Sequence, residues 1–200
     1  MKYPLVTIEH EIEEKRSRFI AELIPCENEQ NIKQRIEELK QKHPKASHVC
    51  SGFRLLNNNN QINEGFSDDG EPSGTAGMPI LKVIRHHDLV NCAVLITRYF
   101  GGTKLGTGGL QRAYSQACSD ALKQLPEEQV KPVVAQVNIE IEVDFAQENI
   151  VRHLAQQHEA NIEEVAYQPS GIILKLRLAQ AQLAELTIKL KQRNLKFHCP

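Results

Sequence analysis

Residues 65–77 read Gly-Phe-Ser-Asp-Asp-Gly-Glu-Pro-Ser-Gly-Thr-Ala-Gly, and Ser67-Asp68-Asp69-Gly70-Glu71 puts three carboxylates into four positions. Carboxylates at that density can hold Mg²⁺ or supply an acid and base pair. An EF-hand is excluded, since it alternates oxygen ligands over about twelve residues. The same string also writes a turn and a helix cap, because Asp accepts backbone N–H bonds. Asp68, Asp69 and Glu71 are therefore metal candidates by composition, recognition groups, or turn formers.

A second block, Gly101-Gly102-Thr103-Lys104-Leu105-Gly106-Thr107-Gly108-Gly109, follows an apolar run and precedes a helical pattern. A loop between a buried strand and a helix start leaves backbone N–H groups free to bind an anion. Thr107 is the expected N-cap, Gly108 and Gly109 would let a ligand touch the first turn, and Lys104 and Arg112 add charge. The loop is no P-loop, which needs Lys-Ser/Thr directly after its last glycine, and G-x-G-x-x-G is absent. The alternative is structural: these glycines turn the chain tightly and let the helix pack close to the sheet.

Three further places carry reactive side chains. His48, Cys50 and Arg54 share one face of an extended stretch, the raw material of a cysteine nucleophile or simply a hydrogen-bonded histidine on a sheet. Arg98 and Tyr99 end the apolar run beside the glycine loop. There an arginine either pairs with a local carboxylate such as Asp68 or Asp69 or meets an anionic ligand. His86-His87 stands at a helix end, where the dipole favours cationic histidine.

The elements that must hold these residues follow from periodicity. Ile32, Ile36 and Leu39 recur at i, i+4, i+7, with Asn28 to cap the start and Pro44 to stop the helix. Residues 46–56 predict a strand, 57–61 a polar loop, 78–87 a short helix, and 91–100 a strand apolar on both faces and so central in a sheet. Leu110, Ala113, Tyr114, Ala117, Cys118, Ala121, Leu122 and Leu125 mark the clearest helix. Residues 126–132 read as a linker. Beyond it the order β-α-β-β-α-β is that of a split βαβ, ferredoxin-like domain. The expected division is therefore 1–127 and 133–200, both α+β.

Composition narrows the function classes. The chain has 200 residues, 40% hydrophobic and 24% charged, which fits a globular protein and excludes wholesale disorder. No apolar run approaches the roughly 20 residues that span a bilayer, and the first residues lack a secretory pattern, so a cytoplasmic protein without a membrane partner is expected. Five cysteines without C-x-x-C fit neither a zinc knuckle nor a disulfide framework. Through Glu127 there are sixteen basic and sixteen acidic residues, so any nucleic-acid contact must come from a local patch. Ten of the eleven glycines fall between Gly52 and Gly109, which directs attention to that stretch.

The two glycine blocks, the second extended as Thr97-Arg-Tyr-Phe-Gly-Gly-Thr-Lys-Leu-Gly-Thr-Gly-Gly-Leu-Gln-Arg-Ala-Tyr114, closely resemble the signature of the IMPACT/YigZ family. The Lys15-x-Ser17-Arg18-Phe19 element and the His48 strand extend the likeness along the chain. The resemblance implies an N-terminal domain like domain 2 of ribosomal protein S-five, a fold shared with GHMP kinases. It implies a ferredoxin-like C-terminal domain similar to domain V of elongation factor G. Eukaryotic members modulate translation by binding an activator of the eIF2α kinase through an extra N-terminal domain. The motifs here begin within the first twenty residues, so that partner is not carried over. By motif, the family's functional surface maps to His48, Ser67, Asp68, Asp69, Gly70, Glu71, Arg98, Tyr99, Gly101, Gly102, Gly106, Gly108 and Arg112.

Two function classes follow, with a third beside them. The first is a non-enzymatic binding protein associated with RNA or the ribosome, or with a protein partner in translation control, needing no cofactor. The second is a Mg-dependent enzyme or binder of a nucleotide or phosphorylated small molecule, built on the glycine loop with Asp68, Asp69 or Glu71. The third is a protein–protein adaptor docking a partner at the C-terminal sheet edge.

Overall fold

The computed structural model describes residues 1–57 and 60–199. They form two compact α+β units, Met1–Val133 and Val134–Pro200. The expected loop at 57–61 falls partly outside the described residues.

The first unit runs β1 (Lys2–Pro4), β2 (Ile8–Glu14), β3 (Ser17–Pro25), α1 (Glu29–Lys42), β4 (His48–Leu56), β5 (Ile62–Ser67), α2 (Gly77–His86), β6 (Cys92–Tyr99), α3 (Gly106–Lys123) and β7 (Val130–Pro132). Five strands make one antiparallel sheet in the order β2-β3-β6-β4-β5. As its apolar run predicts, β6 lies at the centre, with buried residues on both faces. One face packs Phe19, Leu23, Cys50, Val94 and Ile96 against α2 and α3. The other packs Val49, Leu55, Ala93 and Leu95 against Ile32 and Leu39 of α1.

This division decides the site. Side chains alternate along a strand, so His48, Cys50 and Arg98 look toward α2 and α3, whereas Tyr99 looks toward α1. The start of α1 forms as predicted, the Asn28 side chain accepting the Asn31 N–H at 3.0 Å. The sequence expectation for α3 fails at its start. The helix begins at Gly106, its N-cap is Leu105, and no side chain caps it. Thr107 lies inside the first turn, because the helix starts two residues earlier than a Thr107 cap requires, with Gly106 turning the chain at φ near +70°.

Two elements were hidden by composition. The first three residues of the 65–77 stretch belong to β5, whose polar and glycine residues give no strand alternation. The segment read as a linker carries a 3-10 turn, Glu127–Gln129, and β7, which pairs with β1 in a two-stranded ladder.

The second unit comprises β8 (Gln136–Val143), α4 (Glu148–Gln157), β9 (Asn161–Gln168), β10 (Gly171–Ala179), α5 (Gln180–Gln192) and β11 (Lys196–His198). The β-α-β-β-α-β order is the one its periodicity predicts. The antiparallel sheet has the order β11-β8-β10-β9. Ile139, Ile141, Leu174 and Leu176 pack with Val151 and Leu154 of α4 and Leu186 and Leu190 of α5. Among the described residues no helix is long and apolar enough to cross a membrane.

Candidate functional site

The two glycine blocks, together with the β2–β3 turn, converge on the end of β6. At their centre lies Glu71, whose side chain is only 3% exposed. Its Oε1 accepts a hydrogen bond from the Arg98 guanidinium at 2.5 Å and one from the Tyr114 hydroxyl at 2.8 Å. His48 Nε2 stands 3.9 Å from the same oxygen. A carboxylate this deep is tolerated only with a cation and hydrogen bonds to replace water. The arginine partner expected at Asp68 or Asp69 is therefore Glu71.

Arg98 is the hub. Besides Glu71 it reaches Ser17 Oγ at 3.5 Å, and its guanidinium lies 5.4 Å from the Phe19 ring centre and 5.7 Å from that of Phe100. Both rings are within cation–π range. Ser17 Oγ also accepts the Gly101 N–H at 3.1 Å. A side chain on Gly101 is impossible, because its Cβ would lie 2.0 Å from the Arg16 carbonyl carbon. That close approach docks the start of the glycine loop on the β2–β3 turn.

The acidic string is a framework of turns and caps. Asp68 Oδ1 accepts the N–H groups of Ala76 and Gly77, at 3.0 and 2.8 Å, and its Oδ2 accepts that of Gly74 at 2.8 Å. It thus satisfies the start of α2. Asp69 accepts Val49 N–H at 2.7 Å and pairs with Lys40 Nζ at 2.7 Å. Ser67 Oγ accepts the Asp69 N–H at 3.2 Å. Asp69 and Gly70 both take positive φ, closing the turn that brings Glu71 inward. Among the described residues no group of three His, Cys, Asp or Glu side chains is arranged to hold a metal ion.

His48 Nδ1 is 2.8 Å from the Asp69 carbonyl oxygen. A carbonyl only accepts, so Nδ1 carries the proton and Nε2 is directed to Glu71. The Cys50 thiol, with a single proton to give, lies 3.1 Å from the Asp68 carbonyl oxygen and 3.3 Å from Tyr114 Oη. Burial pushes its thiol up to about 12, so near neutral pH it is not the thiolate a nucleophile requires. Burial likewise pushes the Tyr114 hydroxyl up.

Arg54 is not brought to this site. It bonds Glu64 at 3.1 Å and the Leu89 carbonyl at 3.0 Å, further along β4. Tyr99 meets His43 Nδ1 at 2.9 Å on the α1 face, with the Arg18 guanidinium 5.5 Å above its ring. His86 and His87 stand at the end of α2, away from the glycine loop.

The outer rim differs in kind. Gly102, Lys104, Gly106, Thr107, Gly108 and Arg112 are all exposed. Gly102 and Gly106 adopt positive φ, which explains glycine there. Gly108 has no such need: an added Cβ would meet only the tip of Arg112, at 3.6 Å. Gly109 would press on the Leu105 side chain at 3.1 Å. Lys15 and Arg16 form the two-residue β2–β3 turn, both with positive φ. Turns of that shape favour Asn-Gly, so two non-glycine cations hold a conformation costing about 1–2 kcal/mol per residue. Among the described residues Lys15, Arg16, Lys104 and Arg112 join no ion pair.

Sequence reasoning missed Ser17 and Tyr114 as members of the buried cluster, and Lys15, Arg16 and Phe100 as members of the rim. Tyr114 read as one more core position in α3. A tyrosine on a wholly apolar stripe was the available signal, because its hydroxyl must find a partner when buried.

The model of the Impact N-terminal domain matches residues 15–122. IMPACT family member YigZ of Escherichia coli (strain K12) is 33% identical over 92% of this chain and 88% of its own length. IMPACT family member YvyE of Bacillus subtilis (strain 168) is 44% identical over 58% of this chain and 53% of its own. A crystal structure of a hypothetical protein matches with a TM-score of 0.81 at 30% identity, covering 98% of this chain and 95% of that one. The matched stretch of the family model contains the buried Glu71 and Arg98 together with the glycine loop, and the chain belongs to the IMPACT family.

Proposed function

We propose that this is a non-enzymatic binding protein that acts in translation control by holding the phosphate backbone of RNA, free or in the ribosome. The contact surface is the rim formed by residues 101–109, the start of α3 and the β2–β3 turn. One observation carries the reading: the uncapped start of α3 bears the exposed cations Lys104 and Arg112, and the β2–β3 turn that packs on Gly101 bears Lys15 and Arg16, none of the four in an ion pair with a described residue. Free helix N–H groups and cations act together on phosphate. Phe100, half exposed beside them, offers a ring for an unpaired base. Translation as the setting comes from the family resemblance. In this reading the first unit has the ribosomal-protein-S-five-like fold and the second is ferredoxin-like.

The chemistry of the inner cluster favours binding over catalysis. Asp68, Asp69 and Glu71 are engaged by backbone amides, Lys40, Arg98 and Tyr114, and the Cys50 thiol is held protonated. Co-sedimentation with ribosomes and filter binding to RNA, between about 50 and about 200 mM salt, test the proposal. Binding should weaken steeply with salt, and Lys104→Ala with Arg112→Ala should flatten the logarithmic slope by about 2. An unchanged slope rejects the surface. Calorimetric titration with ATP, GTP and Mg²⁺ addresses the enzyme alternative, which a saturable heat would restore.

A further inference from the structure

At the opposite end of α3 the first unit holds a second concavity. The 18-residue helix separates it from the glycine loop by about 27 Å, at 1.5 Å per residue. The cavity has a volume of about 340 Å³. That is within the range of small-molecule sites, about 300–1,000 Å³. Its walls are apolar: Leu89 and Leu122 are buried beneath it, and Leu125, Val130 and Pro132 complete the trough.

The β1–β7 ladder builds one wall, with Lys2 opposite Pro132. Lys2 is held at both backbone atoms, its N–H donating to the Asp88 carbonyl at 3.1 Å and its carbonyl accepting from Val90 N–H at 2.9 Å. The segment that looked like a linker therefore closes a site. Three polar side chains line it: Lys2, His87 and Glu127. None of the three makes a hydrogen bond or ion pair with a described residue, although each borders an apolar trough.

We propose that this cavity binds a small aliphatic carboxylate, its chain on Leu89, Leu122, Leu125 and Val130 and its head group at Lys2 and His87. The trough holds about ten non-hydrogen atoms at the ~30 Å³ each that a liquid water occupies. The charge around the head group fixes its sign. Lys2 on β1 and Lys123 on α3 bring positive charge to His87, and the neighbouring His86 on α2 disfavours its protonation further. Glu127 in the 3-10 turn is the one acidic lining residue, and Asp88 is engaged by the chain's amino terminus at 2.8 Å. Burial first, and then the charges of His86, Lys2 and Lys123, hold the His87 imidazole below its ordinary range. An anion beside that ring reverses the balance of charge and stabilises the imidazolium. Binding then takes up a proton, and affinity rises as pH falls through the His87 pKa of the complex.

Octanoate is the probe, titrated into the full-length chain and followed by amide and histidine-ring NMR, with octan-1-ol as the uncharged control. Shifts should concentrate at residues 2, 87, 89, 122, 125 and 130. Octanoate should bind about tenfold more tightly than octanol, and more tightly at about pH 6 than at about pH 8, because the bound anion raises the His87 pKa and binding takes up a proton. Lys2→Gln, on an exposed side chain, should remove most of that advantage without disturbing the fold. Leu125→Glu should abolish binding. Equal affinity for octanol, shifts centred elsewhere, or an affinity independent of pH would each overturn the proposal, as would no binding at all.

Discussion

The two glycine-rich stretches look alike as sequence and behave as opposites. Residues 65–77 direct their charged and backbone groups inward: Asp68 holds the start of α2, Asp69 clasps β4, and Glu71 is buried against Arg98 and Tyr114. Residues 101–109 direct theirs outward, with an uncapped helix start and exposed Lys104, Thr107 and Gly108. Density of polar residues therefore does not mark the contact surface. What distinguishes the two is whether each polar group already has a partner: the first stretch is a frame, the second the surface it supports. The contrast extends to glycine. Gly77 and Gly101 are required because backbone presses on them, whereas Gly108 faces open space and one flexible arginine.

The largest effect should come from breaking the frame. Glu71→Ala leaves Arg98 buried without a counter-charge, at a cost of about 3–5 kcal/mol. Urea denaturation checks this. Replacing both partners by apolar residues, Glu71→Leu with Arg98→Met, should recover most of the loss, because a buried pair contributes little over well-packed apolar groups. The rim pair Lys104→Ala with Arg112→Ala should stay within about 0.5 kcal/mol of the parent. If the rim variant destabilises as much as Glu71→Ala, the division into frame and surface is wrong.

A smaller effect compares the two helix starts. Asp68→Ala removes the acceptor for three N–H groups and should cost about 2 kcal/mol. Thr107→Ala should change stability by no more than about 0.5 kcal/mol, since no side-chain cap exists at α3. Matched urea midpoints for these two variants would contradict the capping geometry.

How much of this was legible follows from the range of each interaction. The Asn28 cap, the apolar stripe of α3 and the central position of β6 depend on residues close in sequence, and periodicity displays them. Asp68 as a cap is also local, since its partners lie six to nine residues on. Arg98 bonding Ser17 joins residues 81 apart, and Glu71 bonding Tyr114 joins residues 43 apart. Such partners are set by sheet order, which no local pattern carries. Asp68, Asp69 and Glu71 are equivalent as composition; only the tight turn at Gly70 selects the third to go inside. The ladder of β1 and β7 escaped for another reason. Three-residue strands are too short to show a period, and a segment with prolines at 126 and 132 has the composition of a linker.

The finest separation of frame from surface is at Gly108. Its backbone is not in the left-handed region and the space beside it is open, so alanine fits. Within a helix, Gly→Ala should then raise stability by about 0.4–1 kcal/mol, chiefly by restricting the unfolded chain. If Gly108 served only the fold, the variant would be a better protein in every assay. If it keeps the first turn of α3 bare so that a phosphate can approach the amides, the methyl group intrudes there and the stabilised variant binds RNA more weakly. Thermal denaturation and filter binding on one preparation decide between these. Gain of stability with loss of binding assigns Gly108 to the contact surface, whereas gain in stability with full binding moves that surface away from the start of α3.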